Sequence, residues 1–295
     1  MEFVPNEKAT PIRYPSTANL MVDSVDRNTA VYPTANNFLI TKNESMMNGF
    51  FTRVGTTEVV LEWNTPNVIT DEDHDSGLFT YTVDTAGGTV VNQFSLTGYF
   101  TAEQLVDAIV DECNRFTTPT GVTWTAVPLY GAGAQFELTG GVSGNFWTLT
   151  APILEKLTGL STITAPFAGN NKSSHDILAS GADLRPTRYL DMVCNQLTNN
   201  QAVKDGSTAK ISRDVLCRWY FDYDGQNPTD KYGFPILMGY TPFYLRRIFN
   251  PPKQIQWQTN IPIGQMSFQL YNDAGNIADI NTKTNYLMTL QASEV

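Results

Sequence analysis

Two histidines, three cysteines and two oxygen-rich stretches are the residues of this 295-residue chain whose chemistry matters first. His74 and His175 both lie in polar, loop-like stretches. A Ser–His or Cys–His pair needs its base held rigidly beside the nucleophile, and neither setting supplies that. The chain contains no GxSxG elbow, no GxxxxGK[ST] phosphate loop and no HExxH metal helix. Cys113, Cys194 and Cys217 are odd in number and widely spaced, without a CxxC. They read as reduced, buried thiols, with Cys194 and Cys217 the pair that strand pairing could bring face to face. Asp71, Asp73 and Asp75 alternate as at the start of a calcium loop, because hard cations want several oxygens. Yet Ser76 stands where that loop needs Gly, and Thr82 where it needs a bidentate Glu, so a solvated acidic loop is expected. Asp222 to Asn227 has the Asp, Gly and Asn of an ordinary hairpin turn. Trp63, Trp219 and Trp257 could stack on sugar rings, but each sits in a strand-like run and is expected to pack in a core or interface. The expectation is a protein with no catalytic residue, no cofactor and no metal, and so not an enzyme; a hydrolase built on paired carboxylates finds no motif here.

Composition fits strands and broad protein–protein contacts better than an isolated, highly solvated monomer. Charged residues make up 16% of the chain, below the roughly 25% of ordinary soluble domains, while aromatic and β-branched residues are plentiful. The net charge of −10 argues against direct nucleic-acid binding, which rests on Lys and Arg neutralising phosphates. That charge is unevenly placed. Residues 1–65 hold 5 basic and 7 acidic side chains, residues 176–295 hold 11 and 11, and residues 66–175 hold 3 and 11. One reading is a near-neutral body packed among neighbours with a projecting acidic middle; the other, not exclusive of it, is that the middle is simply a soluble domain. The N-terminal stretch lacks the positive and apolar regions of a signal peptide, and no apolar run is long enough to span a bilayer. Three prolines among polar residues make 1–19 an expected extended arm.

Strand-like runs are expected at 37–41 and 52–63, and six more at 189–197, 214–223, 242–249, 254–259, 266–271 and 286–291. Between them, 78–84 and 90–96 flank a Gly87-Gly88 pair and predict a hairpin. Thr101 and Gln104 form a capping box before a helix with Leu105, Ile109, Cys113 and Phe116 on one face. Short strands at 122–128, 135–139 and 146–149, a short helix at 152–157 and a linker at 165–175 complete a small α+β module. The prediction is therefore a mainly β protein: a single jelly-roll β-sandwich of 1–65 plus 176–295, with an α+β insertion domain at 66–175.

The stretches YLDMVCNQLTNNQ (189–201), RDVLCRWYFD (213–222), TPFYLRRIFNPPKQIQW (241–257), GQMSFQLYNDAGN (264–276) and YLMTLQASE (286–294) occur in that order. This series resembles the penton, or minor capsid, proteins of virophages and Polinton-like viruses. DSVDRN (23–28) followed by NNFLI (36–40) is similar to the opening of that group, and FSLTGYFTAEQLVDAI (94–109) resembles a module of viral minor structural proteins. The resemblance implies a jelly roll standing perpendicular to an icosahedral shell, five copies per vertex, in the virion of a double-stranded DNA virus. It implies neighbours too: hexameric capsomers of a double-jelly-roll major capsid protein, and other minor capsid proteins. It carries over no catalytic residue. Arg246, Arg247, Asp214 and Asp222 are the expected interfacial charges. A carbohydrate- or receptor-binding jelly-roll spike is the alternative, and it requires an exposed aromatic platform with polar neighbours.

Overall fold

The computed structural model describes residues 17–42, 51–70, 77–130, 132–198, 215–221, 228–252, 254–256 and 263–294. The first described element is β1 (Thr17–Asp23), so residues 17–19, expected in the arm, are strand. Asp23 accepts a hydrogen bond from the Val25 amide and starts a single 3-10 turn, Ser24–Asp26. Next come β2 (Asn37–Thr41) and β3 (Arg53–Trp63), whose Val59, Leu61 and Trp63 point inward while Glu62 points out.

A module is then spliced in. It opens with β4 (Val68–Ile69), and the expected hairpin follows as β5 (Phe79–Thr85) and β6 (Gly88–Phe94), joined through Ala86 and Gly87. After β7 (Thr97–Gly98) runs the helix α1 (Ala102–Asn114). Its capping box is complete: the Gln104 amide donates to Thr101 Oγ1 at 3.2 Å and the Thr101 amide to Gln104 Oε1 at 2.9 Å. A short turn of helix, α2 (Thr117–Thr120), leads to β8 (Thr123–Pro128), β9 (Gly133–Thr139) and β10 (Phe146–Thr150). Helix α3 (Ile153–Thr158) ends at Gly159, whose φ of +81° is the left-handed conformation that stops a helix. The expected linker 165–175 is largely strand instead. It holds the end of β11 (Thr162–Pro166) and the first half of β12 (Lys172–Leu178), which pairs along its whole length with β9.

The chain continues through β13 (Tyr189–Val193), the short α4 (Asn195–Thr198), β14 (Val215–Tyr220), β15 (Phe243–Ile248), β16 (Gln254–Gln256), β17 (Gln265–Tyr271) and β18 (Asn285–Ser293). One sheet has the order β1-β18-β3-β15, with β16 also pairing β3; the other has the order β14-β13-β17-β2. Leaving aside β16 and the module, the eight strands in chain order occupy positions 1, 8, 3, 6 in one sheet and 5, 4, 7, 2 in the other. That alternation between two four-stranded antiparallel sheets is the jelly roll. The protein is a mainly β jelly-roll sandwich carrying an α+β insertion between its third and fourth strands.

Contact density divides the chain into two compact units. The first comprises 1–61, 191–219 and 245–295, and its two sheets bury their inner faces against each other. Tyr286 of β18 meets Trp219 of β14 at 5.2 Å and Phe38 of β2 at 5.9 Å between ring centroids. The second comprises 62–190 and 220–244. It thus holds the whole of 66–175 together with 62–65, 176–190 and the segment 220–244. Its core centres on Trp124, which has Tyr81, Trp147 and Phe136 within 5.0–5.5 Å, and Tyr232, Phe234 and Tyr240 are buried with it.

Candidate functional site

Among the described residues, the three cysteines and His175 are held in packing contacts at separate places. All three cysteines are free thiols and all are buried. Burial pushes the Cys113 thiol well above its ordinary value, with the Glu112 carboxylate adding to it. Cys194 rises to about 12 through burial, against the lowering effect of three backbone amides. Neither supplies a thiolate at neutral pH. Cys217 accepts a hydrogen bond from Trp219 Nε1 at 3.1 Å, and Cys194 donates to Gln196 Oε1.

His175 sits half-buried on β12 with its ring edge-on to Trp147, 6.4 Å away. Ser173, two residues before it, accepts the Trp147 indole proton at 2.8 Å and is thus held by the tryptophan. Desolvation holds His175 below its ordinary value, partly opposed by Asp176. His74 and the acidic loop 71–76 lie outside the described residues, as do Trp257 and the expected turn 222–227. Among the described residues no group of three or more His, Cys, Asp or Glu side chains is placed to hold a metal ion. Trp63 packs within 5.0 Å of Phe221 and 6.1 Å of Phe243, and Trp219 is fully buried; neither is a platform for a sugar.

What the structure offers instead is surface. Tyr244, Arg246 and Ile248 alternate on the outward side of β15, an edge of its sheet, and Ile248 is 65% exposed. Arg246 reaches across to β3, where its Nε lies 2.5 Å from Glu58 Oε1. Both groups are solvent-accessible, so this pair contributes at most about 1 kcal/mol. Arg247 occupies the next position on the strand and is half-buried. Asp214 and Asp222 fall outside the described residues, so of the four expected interfacial charges only Arg246 and Arg247 are placed. The opposite edge strand, β1, presents Thr17, Asn19 and Met21, the last 67% exposed. Leu20–Asn28 signals this strand only weakly, because its outward positions mix polar and apolar residues.

A second charged group stands in the module. Asp230 accepts hydrogen bonds from the Tyr232 and Phe234 amides on one oxygen and from the Glu103 amide on the other, at 2.9–3.0 Å. Lys231 pairs with Glu103 and Asp107 of α1, and Tyr232 donates its hydroxyl to Asp107 at 2.8 Å. These two carboxylates hold Lys231 well above the usual lysine range, Asp107 most strongly. Every member is engaged with another, which makes the group a clasp between α1 and the segment 228–234. The sequence signal was the DKY triplet at 230–232, unreadable without the partner helix.

No known family profile matches the chain, and no curated protein does. Among solved structures, the crystal structure of a selenomethionine-labelled mavirus penton protein aligns over 96% of this chain and 100% of its own, with 9% identity and a TM-score of 0.45.

Proposed function

We propose that this protein is a structural capsid protein, a minor capsid (penton) component that forms homopentamers at the fivefold vertices of an icosahedral double-stranded DNA virus. The observation that carries the reading is the strand order: an eight-strand jelly roll whose third and fourth strands are separated by an acidic α+β module. The succession of C-terminal stretches resembling virophage and Polinton-like penton proteins supports it, and so does the engagement of every described thiol and histidine in packing. In this reading the jelly roll is 1–65 plus 176–295, and 66–175 is the insertion facing outward.

Cyclic assembly needs two different surfaces on each copy, joined head to tail and closing after five. One sheet has two unlike edges, β15 with Tyr244, Arg246 and Ile248, and β1 with Met21, which supports pairing of one copy's β15 edge with the next copy's β1 edge. Arg246, Arg247, Asp214 and Asp222 contribute interfacial charges, an interface above about 1,000 Å² counts as biological, and hexameric capsomers of a major capsid protein surround the ring. The work of the protein is mechanical, in the virion, and involves no catalysis, no cofactor and no direct contact with nucleic acid. Native mass spectrometry of the purified chain tests this. A species of five times 32.7 kDa is expected; a trimer or dimer as the dominant assembly refutes it.

A further inference from the structure

The solvent face of the module's four-stranded sheet carries a chemistry that assembly at the sandwich edges does not use. Three adjacent strands each bear a Thr-x-Thr pair: Thr80 and Thr82 on β5, Thr148 and Thr150 on β10, Thr162 and Thr164 on β11. The register aligns them into two rows. Thr148 lies opposite both Thr82 and Thr164, and Thr150 opposite both Thr80 and Thr162. Within a row the strand backbones lie about 4.8 Å apart, and the rows lie about 6.7 Å apart, two residues along a strand. Thr148 and Thr164 Oγ1 are 3.1 Å apart, and Thr150 and Thr162 Oγ1 are 3.3 Å apart. A hydroxyl pair consumes one donor and one acceptor, so each pair retains a proton and lone pairs for a ligand.

The lattice is backed by a rigid floor, since the intervening Tyr81, Val83, Trp147, Leu149 and Ile163 are fully buried. At its margin Phe146, the residue before Trp147 on β10, is 48% exposed. Strands β5, β6, β10 and β11 contain no Lys or Arg and a single carboxylate, Asp84, which accepts the Thr89 hydroxyl. A face without a cation, in a module with 11 acidic and 3 basic residues, repels phosphorylated, sulfated or otherwise anionic ligands. Its complement is an uncharged ligand that both donates and accepts hydrogen bonds along an extended backbone and has a C–H face to lay on an aromatic ring.

We infer that this threonine lattice, with Phe146 at its edge, is a binding site for a neutral, extended oligosaccharide. The site lies on the insertion and is independent of the oligomeric state, so its test and that of the pentamer are separable. The full chain is titrated calorimetrically with cellohexaose, mannohexaose and the hexamer of N-acetylglucosamine, and its threonine methyl NMR signals are followed in parallel. At least one hexasaccharide is expected to bind with a Kd of roughly 1 mM or tighter, unchanged between about 50 mM and about 500 mM NaCl, with shifts concentrated at Thr82, Thr148 and Thr164. Phe146→Ala is expected to weaken binding at least tenfold. The near-isosteric double substitution Thr82→Val with Thr148→Val is expected to do the same while leaving Tm within a few degrees. Absence of binding by all three sugars overturns the inference. So does binding that survives both variants, or binding abolished by salt.

Discussion

Arg27 offers the sharpest test of how the jelly roll is held together. It is 6% exposed, and its guanidinium has five N–H donors. All five are used: Nε on the Tyr32 carbonyl at 3.0 Å, Nη1 on the Ser24 carbonyl at 2.6 Å and Asn285 Oδ1 at 2.7 Å, Nη2 on the Pro33 carbonyl at 3.0 Å and the Thr282 carbonyl at 3.5 Å. The side chain thereby ties the turn after β1 to the loop before β18, where the Tyr286 amide also bonds Ser24 Oγ at 2.8 Å. Arg27→Met keeps the stem and removes the fork. Four well-formed charged hydrogen bonds at about 1.5–3 kcal/mol each sum to about 6–12 kcal/mol. Most of them lie at a partly wetted rim, where water re-solvates the abandoned carbonyls, so the expected loss is about 3–5 kcal/mol. Native-state hydrogen exchange at the amides of β1 and β18 reads this directly, as protection lowered at least about a hundredfold, since 1.4 kcal/mol is tenfold. Arg27→Lys, with three donors and no planar fork, should recover less than half of the loss. A change below about 1 kcal/mol in Arg27→Met would show that the network is incidental to stability.

Three further outcomes follow from the geometry. Asp230→Ala should destabilise the module by about 2–3 kcal/mol in urea denaturation, because three amides lose their acceptor; a loss under about 0.5 kcal/mol, the contribution of one weak hydrogen bond, contradicts the clasp. Burial makes His175 harder to protonate folded than unfolded, so its contribution is complete above the ordinary value of 6.5 and is lost as pH falls from there through the lower folded value. The Tm of His175→Gln should accordingly vary less than that of the parent between about pH 7 and about pH 5, and parallel profiles refute it. Ile248→Asp and Arg246→Ala, both on the outward side of β15, should lower the pentamer fraction by native mass spectrometry while leaving far-UV circular dichroism intact; unaltered assembly in both removes β15 from the interface.

Local chemistry was legible where a signal is self-contained. The Thr101–Gln104 box fixed the start of α1, the Gly87-Gly88 pair the β5–β6 turn, and alternation the limits of β2, β3, β17 and β18 within about two residues. β12 was hidden because its inward positions include Ser173, a polar residue buried only because Trp147 donates to it. The recruitment of Tyr232, Phe234 and Tyr240 into the module's core was likewise unreadable, since Tyr232 bonds Asp107 and Tyr240 accepts from the Leu184 amide, 125 and 56 residues earlier in the chain. The run expected at 189–197 contains a break at Cys194, after which α4 begins and Leu197 and Thr198 bond back to the Cys194 carbonyl. The threonine lattice has a visible signature, three Thr-x-Thr pairs, but their adjacency depends on the order β11-β10-β5-β6, in which chain neighbours are not sheet neighbours.

The proposed assembly stands on fivefold symmetry. Electron-microscopic imaging of the concentrated protein measures it without assumptions about mass or shape. Rings with five equivalent copies, joined through the β15 and β1 edges, are the predicted result. Class averages with any other symmetry, or a field of single copies alone, contradict it.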